Sequence, residues 1–279
     1  MNHLHRELAP ISDAAWQQID DEARRALRNF LTARKVVDFV GPLGWDHSAL
    51  GLGRVVDGGG GPADGVQSQV RLVQPFVELR THFTLERSEI DAVDRGAPDA
   101  DWDPVVDAAR RAALAEDHLV FRGFPAAGVR GVVETSIHEP IEITPEYDQY
   151  PTFVAKAVDT LRRGGVDGPY AILLGPRCWT GVIESTQHGG YPILEHLRLI
   201  SEGPVLWAPA VDGALVVSLR GEDFELMVGQ DLSIGYTSHD ATTVTLFLEE
   251  SLTFRAAGPE AAIALRYAEE PAAPKRRRR

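Results

Sequence analysis

The sequence predicts a mixed α+β protein, and three observations carry that prediction. An amphipathic helical pattern follows Ser12, two β-favouring arms flank the glycine-rich "DGGGGPADG", and helix and strand patterns alternate from Tyr150 until the chain returns to β. At 279 residues, 44% hydrophobic and 25% charged, the chain has room for one large domain or two modest ones and the composition of a folded globular protein.

Ser12 is placed to cap a helix whose Trp16, Ile19, Ala23, Leu27 and Phe30 recur at steps of three and four. The opposite side carries Gln17, Asp21, Glu22, Arg25 and Arg28, polar enough to face water or a lumen. "KVVDF" reads as a strand-like piece, stopped by Gly41-Pro42 because proline has no donor to extend a sheet. Trp45 is expected to pack beneath that turn. Residues 50–57 and 66–85 form the arms of a large hairpin with a flexible tip at Gly58, Gly59, Gly60 and Gly61. Gly51-Leu52-Gly53 lacks the third glycine and the following helix that a phosphate cradle needs.

Glu86, Glu89, Asp91 and Asp94 make a short acidic helix with a solvated face rather than a cation site, since ligands usually converge from several segments. Pro104 begins a long helix over 105–121, and its alanines allow close approach to a sheet. Helices over 153–163, 177–185 and 192–201 then alternate with strands over 169–175, 204–208, 214–219 and 224–228 as a compact α/β region. Two strands close the pattern, with Val244, Leu246 and Leu248 on one face and Thr245, Phe247 and Glu249 on the other.

The formal charge of −13 conceals a split: without the five basic residues 275–279 the body carries 23 basic against 41 acidic residues, or −18. Such a body disfavours nucleic acid as the main partner, and "KRRRR" reads as a solvated end able to touch polyanions. No apolar run approaches the roughly 18 residues of a membrane span, "MNHLHRELAP" has no apolar signal core, and the single Cys178 fits a reducing cytoplasm. No G-x-S-x-G, H-E-x-x-H or C-x-x-C pattern is present, so nothing points to a catalytic or metal constellation. Cys178 beside Trp179 reads as a small buried hydrophobe, and His138 and His196 have no sequence-evident partner. "STQHGGYP" makes a tight turn between two helices; in a ring of copies it would converge on the axis and His188 could line a pore.

The order of segments, "RKVVDFVGPLGW", the glycine-tipped hairpin, "FTLERSEIDAVDRG", "AEDHLVFRG", "DGPYAILL", "HGGYP" and "GEDFELMVGQDLSIGY", resembles the encapsulin shell proteins of the first family, also known as linocin-type bacteriocins. The resemblance spans about residues 1–268. It implies the fold of tailed-phage major capsid proteins (Hong Kong 97-type), with a luminal N-terminal helix and arm over 1–48 and an extended loop over 49–85. It further implies a peripheral domain over 86–131 and 226–268, an axial domain over 132–225, and a tail over 269–279. Carried over by position, Phe30, Arg34, Asp38, Leu232 and Ile234 line a groove for a short C-terminal peptide of an enclosed enzyme, a dye-decolourising peroxidase or a ferritin-like iron oxidase. Gln187, His188, Gly189, Gly190 and Tyr191 form the fivefold pore loop. The smallest icosahedral shell would need about sixty copies. Arg34 and Asp38 also admit a simpler reading, an i,i+4 ion pair on the helix end worth about 0.3 kcal/mol. Some relatives stack a flavin on a tryptophan after "FTL"; here Arg87 and Ser88 stand in that segment, so no cofactor is expected. The alternatives are a protease or bacteriocin-type enzyme and a prophage capsid subunit.

Overall fold

The computed structural model describes residues 3–186 and 190–268. In chain order its elements are α1 (Asp13–Phe30), β1 (Asp38–Val40), β2 (Ala49–Asp57), β3 (Gln69–Pro75), β4 (Val77–Glu86), α2 (Arg87–Asp94), α3 (Asp103–Arg122), β5 (Gly123–Phe124), β6 (Val129–Arg130) and α4 (Val132–Thr135). There follow β7 (Ile141–Ile143), α5 (Tyr150–Arg163), β8 (Tyr170–Leu174), α6 (Pro176–Glu184), α7 (Ile193–Ser201), β9 (Val205–Trp207) and β10 (Ala214–Ser218). The chain ends with β11 (Phe224–Val228), β12 (Ser233–His239), β13 (Thr243–Ala256) and β14 (Ala262–Tyr267).

These elements form two compact units. The first takes residues up to Thr135 together with Gly221–Gly258. Its sheet has the order β1-β11-β13-β12, with β4 also paired along β13. The Ser12 Oγ accepts the Ala15 N–H at 3.2 Å, which caps α1 as its sequence suggests. One apolar stripe of α1 (Trp16, Ile19, Ala23) joins Val105, Ala108 and Ala112 of α3, and Phe83, Leu85, Ile234, Val244, Leu246 and Leu248 of the sheet, in a single buried cluster. The other face of β13 is buried too: Phe247 lies under the Arg80 guanidinium at 4.3 Å, and Glu249, 1% exposed, accepts the Arg80 Nε–H at 2.7 Å.

Three expectations about this unit change. The second hairpin arm is not continuous: β2 and β3 pair only as far as Ala49 opposite Pro75, whose ring supplies no donor. β4 then leaves for β13, in register from Glu86 opposite Thr243 to Val77 opposite Leu252. The β2–β3 ribbon has the predicted glycine tip, with Gly59 and Gly60 at φ of 76° and 114°, and it exposes Val55, Val56, Val70, Leu72 and Val73. "KVVDF" is a strand only from Asp38, because residues Ala33–Lys35 form one 3-10 turn. Beyond it Gly41, at φ 151°, brings the chain so close to β11 that a Cβ would lie 2.4 Å from the Val228 carbonyl oxygen. Trp45 is not beneath the turn; it is 39% exposed and stacks on the His3 ring at 4.0 Å.

The second unit takes Ser136–Arg220 and, among the described residues, 259–268. Its sheet has the order β7-β14-β10-β8-β9, and every residue of β8 and β10 is buried, so the continuous apolar runs of both strands have their explanation. The expected domain boundaries shift accordingly. β11 belongs to the first unit, since it pairs with β1 and β13; β14 belongs to the second, since it pairs with β10 and β7. Residues 259–268 therefore do not go with 226–258. Cys178 is buried as expected, but it also makes contacts of 3.1 Å and 3.2 Å with the hydroxyls of Tyr150 and Tyr267, and burial raises its thiol pKa.

Candidate peptide groove of the first unit

α1 turns its Ala23, Leu27 and Leu31 side toward β12, and the space between them is a groove of about 410 Å³. Leu232 and Ile234 of the β12 segment and Leu248 of β13 complete its apolar lining. Leu4 and Arg6 close one side, where the Tyr236 N–H donates to the Leu4 carbonyl at 2.8 Å along the β12 edge. Arg6 is held twice, by Asp20 (3.1 and 2.8 Å) and by stacking over Trp16 at 3.9 Å.

The inner end of the groove is ionic. Arg34 Nε donates to both oxygens of Glu116 at 2.9 and 2.8 Å, Nη1 to Asp231 at 2.8 Å, and Nη2 to Glu250 at 3.3 Å. Glu116 and Glu250 are 0% and 1% exposed, so one guanidinium is the shared partner of two fully buried acid side chains and can balance the charge of only one of them. Burial alone would lower the Arg34 pKa, but its bond to Glu116 and the attraction of Glu116, Asp231 and Glu250 raise it above the ordinary value. For Glu250, burial first and the Glu116 charge second push its carboxyl well above the carboxylate range, against the pull of Arg34. Next to this cluster the buried Asp117 accepts the Thr32 N–H (3.0 Å) and the Ala33 N–H (2.9 Å). This bond pair seats the 3-10 turn that carries Arg34. Burial raises Asp117 to about 7 although both backbone donors favour its charged form.

Of the residues expected to form a peptide groove, Arg34, Leu232 and Ile234 line this one. Phe30, the last residue of α1, and Asp38 do not. Asp38 is in β1 opposite Glu225, and its Oδ2 accepts the Glu222 N–H at 2.6 Å, so the Arg34–Asp38 helix pair gives way to the Glu116 cluster. Sequence reading missed Glu116, Asp117 and Glu250. The available signal was a pair of adjacent acids inside the alanine-rich stretch of α3, where acids reach burial only with partners. Of the expected pore loop, Gln187, His188 and Gly189 lie outside the described residues. Gly190 has φ 80° and Tyr191 is 45% exposed, next to a bridge between Thr186 and Pro192. Arg87 and Ser88 open α2, where Arg87 donates to the Asp240 carbonyl at 3.3 Å. Among the described residues no cluster of three His, Cys, Asp or Glu could hold a metal ion, and no helix is long and apolar enough to cross a membrane.

The chain is similar in fold to a virus-like particle from Pyrococcus furiosus, at TM-score 0.63 and 14% identity over 89% of this chain and 98% of that one. It is similar too to the capsid of an empty GTA particle, at TM-score 0.55 and 14% identity over 85% and 90% of the two chains. The capsid of the Myoviridae phage XM1 has the same fold, at TM-score 0.53 and 9% identity over 85% of this chain and 92% of that one, so the class is a protein of the tailed-phage capsid fold. Residues 1–253 match the Linocin_M18 family, described as an encapsulating protein for peroxidase. The type 1 encapsulin shell protein of Rhodospirillum rubrum is 51% identical over 95% of this chain and 97% of its own length. That of Mycobacterium tuberculosis is 43% identical over 96% and 100%. The chain belongs to the type 1 encapsulin shell family, and it is a self-assembling shell protomer.

Proposed function

We propose that this chain closes into an icosahedral compartment of about sixty copies, in the cytoplasm, whose groove holds the C-terminal peptide of an enclosed enzyme. The observation that carries the reading is the groove itself. Apolar side chains of α1, β12 and β13 flank a groove of about 410 Å³, a lining that suits apolar side chains of an extended peptide, and Arg34 is locked at its end. The family description supports a peroxidase as the enclosed enzyme, and the dye-decolourising type is the one we favour. In this reading the enclosed enzyme supplies the catalysis, the shell contributes none, and the loop at Gly190 and Tyr191 borders a pore for small solutes. The exposed valines of the β2–β3 ribbon support a role as an interlocking arm, since a protomer leaves apolar only what a neighbour will cover.

The test is co-expression of the shell with a fluorescent protein carrying the C-terminal peptide of the peroxidase. Wild-type shells should retain the reporter through purification. Leu232→Asp and Ile234→Asp shells should assemble at the same size and lose it, because a carboxylate in an apolar pocket repels an apolar side chain. Full retention by both variants would remove the groove from cargo capture.

A further inference from the structure

Four guanidiniums line the groove: Arg6, Arg24, Arg28 and Arg34. Three are committed. Arg6 is paired with Asp20, Arg24 with Asp21 at 2.6 Å, and Arg34 with Glu116, Asp231 and Glu250. The two carboxylates in the lining are committed as well, Asp20 to Arg6 and Asp231 to both Arg34 and the Leu232 N–H at 2.8 Å. Arg28 is the one lining guanidinium with no ion pair among the described residues, and it is exposed one helical turn beyond Arg24, beside Leu27 and Leu31. Its place in the last turn of α1 suits a cation facing free carbonyls, which accounts for its being tolerated but leaves its planar fork of donors unused.

We propose that Arg28 binds the terminal carboxylate of the peptide in the groove, so that the groove takes a chain end rather than an internal stretch. This rests on the groove reading above. A groove whose other lining charges are paired within the fold, and which keeps one unpaired cation beside its leucines, calls for an occupant that is apolar with one anionic point, and the guanidinium matches a carboxylate bidentately. A chain terminus supplies that carboxylate without a side chain to house or to order, which suits a groove of only about 410 Å³. Arg34 and Asp38, the two charged residues expected in the groove, are not available for this role because both are engaged within the fold.

The experiment uses shells reassembled around a dye-labelled Gly/Leu/Ile octapeptide, made as the free acid, as the C-terminal amide, and as an amide carrying one internal glutamate. Retained dye per shell is read after gel filtration. Wild-type shells should hold the free acid about five-fold better than the amide, the range of an exposed charge pair. Arg28→Ala should bring the acid down to the amide, and Arg28→Lys should recover part of the difference. Equal retention of acid and amide, with retention still lost in Leu232→Asp, overturns the role of Arg28 and leaves the groove standing. A glutamate amide held as well as the free acid overturns the choice of a chain end. Retention of every peptide indifferent to Leu232→Asp overturns the groove reading and this inference with it.

Discussion

Replacing Arg34 by methionine strands two carboxylates that have almost no access to water, since Glu116 is 0% and Glu250 1% exposed. Removing one partner of a buried ion pair costs about 3–5 kcal/mol, because the remaining charge can neither rehydrate nor find a new partner. For a unit of this size that corresponds to a fall of about 10 °C in Tm. The fold has one escape, which is to protonate. Glu250 is already raised by burial and by Glu116, and without Arg34 the pull that lowers it disappears. Carboxyls raised in the folded state contribute stability that is present at low pH and lost as pH rises, so the Arg34→Met penalty should be full at pH 8 and much smaller at pH 5. The assay is thermal unfolding by differential scanning fluorimetry of variant and wild type at both values. Adding Glu116→Gln and Glu250→Gln should restore most of the loss at pH 8. A fall of under 2 °C at pH 8, or the same fall at both pH values, would refute the view that Arg34 is the counter-charge of a buried acid pair.

Further outcomes follow from other parts of the first unit. Asp117, raised to about 7 from 3.8, contributes stability that is present below its ordinary value and lost as pH rises through 7. Asp117→Asn should therefore flatten the loss of stability between pH 5.5 and 8, which this group makes about 2 kcal/mol in the wild type and which is read as a fall in Tm; an unchanged slope would assign that fall to another group. Deleting Gly58, Gly59, Gly60 and Gly61 should leave the circular dichroism of the protomer intact and reduce the yield of particles in gel filtration, because the ribbon packs on nothing the tip supports. Gly41→Ala must place a Cβ 2.4 Å from the Val228 carbonyl oxygen at φ 151°, and should cost more than about 2 kcal/mol, measured as a drop in Tm.

What the sequence made legible was local. The α1 stripe, the Ser12 cap, the glycine tip and the long helix begun by Pro104 all rest on spacing of three or four residues or on single turn-forming residues, and all appear in the fold. Pairings between distant segments were not legible. β11 and β14 are short apolar strands of similar composition, and only the partners they find, β1 and β13 for one, β10 and β7 for the other, place them in different units. The groove was half legible for the same reason. Leu232 and Ile234 came by position from the family resemblance, whereas the partners of Arg34 lie 82 and 216 residues away, at Glu116 and Glu250. Asp38 misled because i,i+4 spacing makes a pair only where the helix continues, and α1 ends at Phe30.

Electron microscopy of the purified protein expressed alone, with mass from light scattering, tests the central claim most directly. A shell of about sixty protomers of 30.5 kDa predicts uniform hollow particles near 1.8 MDa. A species that stays at about 30 kDa across a range of salt concentrations would contradict the account.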